Sequence, residues 1–253
     1  MIGKVGKDDH GSGTIANFNK NNISTEYIAV TDEDNTGVAA ITITDTGENS
    51  IVIVPGANLL LTDKDVTAVE DLIKNSKVVV CQLEVGLSAT LQTLKLANKH
   101  NVKCVFNIAP AQTGLSDEFF SFSDILCANE NEAEMITGTT VTGIPEAETA
   151  IDQLLDKGCK TVIITLGEKG AVFATQESRR KVYIPAEKVK AVDTTGAGDS
   201  FVGSLAFYLA TRPDLSFQEA VRRSSVIASI SVQHPGTQYS YPWRKDLSPN
   251  LFD

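Results

Sequence analysis

Asp193-Thr194-Thr195-Gly196-Ala197-Gly198-Asp199, running without a break into Ser200-Phe201-Val202-Gly203, is the stretch on which the reading of this chain turns. Past Gly198 the apolar residues fall at helical spacing, with Phe201, Leu205 and Leu209 on one stripe and Val202 and Ala206 beside it. This predicts a helix whose first turn carries Asp199 and whose entrance is built from two glycines. Residues without a Cβ let backbone pass close to a ligand. The unpaired N–H groups of a first turn, at the positive end of the helix dipole, attract an anion such as a phosphate. A carboxylate in that turn could take a proton from a hydroxyl while the amides hold the phosphoryl group under attack. Taken alone, Gly-x-Gly-Asp also fits a capped helix after a tight turn, with Asp199 merely complementing the dipole.

Composition narrows the field. The 253 residues suffice for a single α/β domain with a substantial core, and 42% hydrophobic with 21% charged residues is the usual balance of a soluble protein. No apolar run approaches the ~20 residues of a membrane span, and Met1-Ile2-Gly3-Lys4 lacks a signal-peptide core. The expected compartment is the cytoplasm, with the nucleus as a second location. The net charge of −10, without a basic block interleaved with aromatics, argues against nucleic acid or membrane as a partner. Cys81, Cys104, Cys127 and Cys159 form no Cys-x-x-Cys pair, and His10, His100 and His234 are isolated; buried thiols are expected rather than a disulfide framework or zinc site.

Working toward the N-terminus, Gly11-Ser12-Gly13-Thr14-Ile15-Ala16 mimics a dinucleotide fingerprint, but the charged residues before it suggest no strand, so it reads as a helix start. Three β-type runs follow, Tyr27 to Val30, Val38 to Thr44 and Ser50 to Val54, the last two joined by a hairpin turn at Asp45-Thr46-Gly47. From Thr62 onward, helical patterns at Asp63 to Asn75, Ser88 to Asn101, Asn131 to Thr137 and Pro145 to Lys157 alternate with short apolar runs at 78–81, 104–106, 125–127 and 162–164. Runs apolar on both faces are what a parallel sheet covered by helices requires. The residues just after those runs (Gln82 and Glu84, Asn107, Asn129 and Glu132, Thr165 and Gly167) would gather at the carboxyl edge of the sheet, where doubly wound folds place ligands. Asn129-x-x-Glu132 is by spacing a capping box, and Thr165-Leu166-Gly167-Glu168-Lys169-Gly170 a hairpin with permissive glycines.

The heptad with its Ser-Phe-x-Gly extension closely resembles the signature of the ribokinase-like (PfkB-type) carbohydrate kinases, and the resemblance runs from Lys4 to the end of the chain. It implies a three-layer α/β/α fold with a mostly parallel sheet, one domain over residues 1–253, and remnants of a β lid within 27–55. It implies ATP-dependent phosphorylation of a pentose, D-ribose to D-ribose 5-phosphate, with Asp199 as base and the amides of Gly196, Ala197, Gly198 and Asp199 as anion hole. An aspartate of ordinary pKa, ~3.9, is ionised at pH 7 and takes the proton late. Glu84, in Gln82-Leu83-Glu84, would contact the sugar together with Asp199. Asn129, the stretch Thr165 to Gly170, Gly198, Asp199 and Ser225 would hold ATP. Glu132 would act on Mg²⁺ through water, and Asp193, Thr195, Ser231, His234, Gly236 and Ser240 would enclose K⁺, His234 through its backbone oxygen. A homodimer is expected for the family.

One departure stands out. Before the segment matched by Lys4 to Asp8 the family carries a first core strand with a sugar-binding Asp and a Gly-Gly-Lys-Gly-x-Asn loop, and neither is present here. The expectation is a domain shortened at the N-terminus, with unpaired backbone on the flanking strands and lost sugar contacts worth ~1.5–3 kcal/mol each. The alternative function is therefore a shortened protein that binds nucleotide or a partner subunit without turnover.

Overall fold

The computed structural model describes residues 1–43 and 49–253. Its centre is a six-stranded sheet that arises from the short apolar runs. β5 (Val78–Cys81), β6 (Lys103–Asn107), β7 (Ile125–Asn129) and β8 (Thr161–Thr165) are parallel neighbours. β9 (Ala171–Thr175) and β10 (Val182–Ile184) extend it antiparallel, giving the order β10-β9-β8-β7-β6-β5.

β6, β7, β8 and β9 serve two cores by strict alternation. Cys104, Phe106, Leu126, Ala128, Val162, Ile164, Val172 and Ala174 point to one face, and Val105, Ile125, Cys127, Ile163, Ala171 and Phe173 to the other. The first face is covered by α4 (Leu87–Lys99), α5 (Asp117–Ser121), α6 (Glu130–Thr137) and α7 (Ile144–Asp156). α7 supplies Ala147, Ala150, Ile151, Leu154 and Leu155, a stripe at helical spacing. α8 (Ala197–Thr211) and α9 (Phe217–Ser231) cover the second through Phe201, Val202, Leu205, Tyr208, Val221 and Ile227. The result is a three-layer α/β/α fold. Ile163 and Ile164 are fully buried on opposite faces, and truncating either to Ala should cost about 2–5 kcal/mol.

The N-terminal part is separate. β1 (Ile2–Gly6) pairs in parallel with β2 (Tyr27–Thr31), and β3 (Val38–Ile43) pairs antiparallel with β4 (Asn49–Val54). Among the described residues neither pair joins the large sheet, of which β5 is one edge. Ile2 and Val79 instead pack against a shared apolar cluster, Leu61, Val66, Ile73, Ala89 and Leu96. That cluster draws on α2 (Asp63–Ala68), α3 (Glu70–Lys74) and α4.

Several expectations need correction. A strand, β1, does precede the Gly11–Ala16 stretch; its Gly3, Lys4 and Gly6 interrupt the apolar run by which a strand is recognised. The glycines nevertheless make no phosphate loop. α1 (Asp9–Lys20) begins before them, capped by Asp8, whose carboxylate accepts from Gly11 N at 2.7 Å. Gly11 packs under Gly6 and Thr36 instead. The helix expected over 63–75 is two short helices broken at Val69, where the backbone turns to φ −114°, ψ 25°. β10 and α5 carry no strong periodic signal and were not anticipated. The hairpin turn at Asp45–Gly47 lies outside the described residues. Among those residues no helix is long and apolar enough to cross a membrane.

Candidate active site

The site is assembled where the parallel strands end. After β5, Leu83 is buried and its N–H donates to Ala109 O at 2.9 Å, which fixes the short turn that presents Glu84. After β7, Asn129 caps α6: its Oδ1 accepts from Glu132 N at 2.9 Å, and Glu132 Oε2 accepts from Asn129 N at 2.8 Å. The capping box is thus formed, and it also holds the Glu132 carboxylate at the sheet edge. After β8, the turn from Leu166 to Gly170 is closed by Leu166 N donating to Gly170 O at 2.7 Å.

From the other core comes α8. Gly196 is its N-cap at φ 78°, in the left-handed region that glycine accepts without strain. No side chain caps this end. Ala197 N–H turns back to Thr194 O at 3.2 Å and Ser200 N–H to Gly196 O at 2.9 Å. Among the described residues the N–H groups of Gly196, Gly198 and Asp199 are left without an acceptor, so three of the four expected anion-hole donors are free.

Asp199, Glu84 and Glu132 lie within electrostatic reach of one another's site, although they come from three elements. Protein crowding strips hydration from each carboxylate and pushes its pKa above the usual value. The negative charge of Asp199 adds to the rise at Glu84 and at Glu132. At Asp199 the rise is opposed by the hydroxyl of Tyr241, 3.5 Å from Oδ2.

Beside the α8 N-terminus opens a cleft of about 800 Å³. It collects Thr165, Gly167, Glu168, Lys169 and Gly170 from the β8–β9 turn, Gly198 from α8 and Ser225 from α9. Leu166 and Asn129 do not line it; the Leu166 side chain is in the core and Asn129 serves its helix. The segment from Ala186 to Val189, and Ala228, Ser229 and Val232 on and after α9, complete the wall. Sequence reasoning passes over Ala228, Ser229 and Val232 because small side chains at the end of a helix read as packing, and over 186–189 because that stretch carries no motif.

The segment after α9 is tied to the signature. Asp193 Oδ1 accepts from Thr195 N and Oδ2 from Gly236 N, each at 2.9 Å. Val192 N–H donates to Val232 O at 2.7 Å. The Ser231 and Ser240 hydroxyls are spent on Ala228 O and Thr237 O, whereas Thr195 Oγ1 is buried beside the Asp193 carboxylate, near enough to help lower its pKa but without a well-aligned hydrogen bond to any neighbour. A buried, unmatched oxygen beside a carboxylate and a turn suits a cation held largely by oxygen atoms. Among the described residues no group of three or more His, Cys, Asp or Glu side chains could hold a metal ion.

Comparison with known proteins agrees with this geometry. The pattern of the pfkB family carbohydrate kinases matches residues 1–244. The chain is 48% identical to mouse (Mus musculus) ribokinase over 252 residues, covering 100% of this chain and 78% of that protein. Its fold is similar to the solved structure of ribokinase from Giardia lamblia, with a TM-score of 0.88 at 30% identity, covering 97% of this chain and 81% of that one. It is likewise similar to the structure of Arabidopsis thaliana ribokinase complexed with ribose and ATP, with a TM-score of 0.86 at 28% identity, covering 97% and 79%. The chain belongs to the pfkB family of carbohydrate kinases.

Proposed function

We propose that this chain transfers the γ-phosphoryl group of ATP to D-ribose, giving D-ribose 5-phosphate and ADP. The observation that carries the reading is the meeting of Asp199, in the first turn of α8, with three free amides, the charge of Glu84 and the cleft that Gly198 helps to line. The relatives named ribokinase support the choice of sugar.

In this reading Asp199 accepts the proton of a primary sugar hydroxyl. The hydroxyl oxygen forms its bond to the γ-phosphorus as the bond to the β-bridging oxygen breaks, and the electron pair leaves with ADP. Gly196, Gly198 and Asp199 N–H groups receive the charge that builds on the transferred group. Glu84 orients the sugar; Thr165, the Gly167–Gly170 turn and Ser225 hold the nucleotide. Bound Mg²⁺ would offset the charge of the phosphates, and Glu132 is the residue suited to holding it through water. Asp193, Thr195 and the 231–240 segment, with the unmatched Thr195 Oγ1, are suited to K⁺. A homodimer is supported by the β3–β4 ribbon, where Val38, Ile41, Val52, Ile53 and Val54 are all exposed. The four free thiols suit a reducing compartment such as the cytoplasm.

The test is ribose-dependent ADP release with Mg²⁺ and K⁺ present. Asp199→Asn should lower kcat by roughly a thousandfold while ATP still binds. Turnover unaffected by Asp199→Asn overturns the assignment. ATP binding with no turnover in the unaltered chain favours the non-catalytic alternative.

A further inference from the structure

We propose, resting on the kinase reading above, that Tyr241 is a positioning residue for Asp199: its phenol donates to Oδ2 and its ring braces Gly196, leaving Oδ1 to meet the sugar hydroxyl. Two independent contacts converge on this side chain. The hydroxyl lies 3.5 Å from Asp199 Oδ2. A Cβ at Gly196 would collide with the same hydroxyl and crowd the ring atoms beside it, so the phenol is packed on the bare Cα that opens α8. The glycine accommodates a left-handed turn and the close approach of Tyr241 together.

Tyr241 is not free to drift from this place. The segment leading to it is stitched to the signature by Val192 N–H and Asp193 N–H donating to Val232 O and by Gly236 N–H donating to Asp193 Oδ2 at 2.9 Å. Ser240, immediately before, is buried and turned back on Thr237 O. The contact to Asp199 is longer than the ~2.7–2.8 Å of a strong O–H···O bond, as catalytic hydrogen bonds commonly are before the reactants draw the groups together.

The chemistry favours a phenol here. Glu84, after β5, and Glu132, in the first turn of α6, face Asp199 as like charges and cannot orient it by donation. A lysine or arginine in the place of Tyr241 would hold the carboxylate but weaken it as a base. A neutral donor selects one rotamer with a smaller loss of basicity, and a phenol, of ordinary pKa ~10, keeps its proton at neutral pH.

Tyr241→Phe is nearly isosteric and keeps the ring on Gly196. Its kcat should fall roughly tenfold, with KM for ATP and ribose changed less than about twofold. In a ¹³C-carboxylate NMR titration of the free protein, with the Asp199 signal assigned by its loss in Asp199→Asn, the Asp199 midpoint should move to higher pH in Tyr241→Phe. Tyr241→Leu, which also removes the brace, should lower kcat further. An unmoved midpoint overturns the coupling, an unmoved kcat overturns its role in the reaction, and equal kcat for the two variants overturns the brace. The titration needs no turnover, so it separates failure of this inference from failure of the kinase reading, which Asp199→Asn decides.

Discussion

Asp199 sits in a site that costs the protein stability. Withdrawing hydration from Asp199, Glu84 and Glu132 raises all three pKa values, so the folded state binds protons more readily than the unfolded chain. A carboxylate with a raised folded pKa favours folding as pH falls and opposes it as pH rises through that value. At neutral pH the ionised Asp199 is therefore a liability tolerated for its chemistry. Asp199→Asn should raise the midpoint of thermal unfolding at pH 7 even as it lowers kcat, and the difference should close as pH falls toward the unfolded Asp value of 3.8. The acid limb of kcat should likewise lie above 3.8. Melting curves across pH decide this; a variant less stable than the parent at pH 7 would sink it. Asp199 was legible in the sequence because glycines, acid and helical stripe occupy consecutive positions. Tyr241 was not, since its contact spans 42 positions and nothing local distinguishes it from any aromatic after a turn.

Among the elements, the β8–β9 hairpin shows how a glycine can be structural and functional at once. Gly170 has φ 94°, and a Cβ there would collide with the backbone oxygen of Ile184 and lie 2.7 Å from Ala186 N. Neither backbone atom can swing aside as a flexible side chain would. Gly170→Ala should destabilise the fold by about 2–3 kcal/mol, read from urea unfolding, and weaken nucleotide binding because β10 and the Ala186–Val189 wall are displaced with it. A variant with unchanged unfolding midpoint would show that the hairpin absorbs the clash. The parallel strands were legible because burial on both faces demands continuous apolar runs. β1 was missed because its partial exposure admits Gly3 and Lys4, with Lys4 Nζ bound to Leu60 O at 2.8 Å and Asp65 Oδ2 at 3.1 Å. The break at Val69 lacks glycine and proline, the residues by which a helix end is recognised in sequence.

For the whole molecule, the division of the strands into separate sheets implies uneven stability. β6, β7 and β8 are buried along nearly their full length, on both faces, within two helical layers. In residues 1–42 only Val5, Gly6, Gly11 and Thr36 are buried, two of them glycines with no side chain to contribute apolar area. β1 and β2 share one ladder, five residues long, and the outer edge of each is unpaired among the described residues. Burial of apolar area is the main favourable term in folding, so this part has little to oppose its conformational entropy. The polar ties that do hold it, Asp8 to Thr36 N and Oγ1 at 2.7 Å each, depend on an ionised carboxylate held at about 2 chiefly by Thr36 N–H, then by the Thr36 hydroxyl and Gly11 N–H. Because that value is depressed, their contribution fades only as pH falls below the ordinary aspartate range. Local opening should therefore begin here at neutral pH, with β1 and β2 amides exchanging with deuterium at least about 100-fold faster than those of β7 and β8. Saturating ATP should slow exchange in the β8–β9 turn and at the start of α8 more than in β1, since the cleft draws its lining from the former elements and not from β1. Equal protection across β1 and β7 would mean that the small sheet unfolds only with the whole, and the two-part view of the molecule would have to be abandoned.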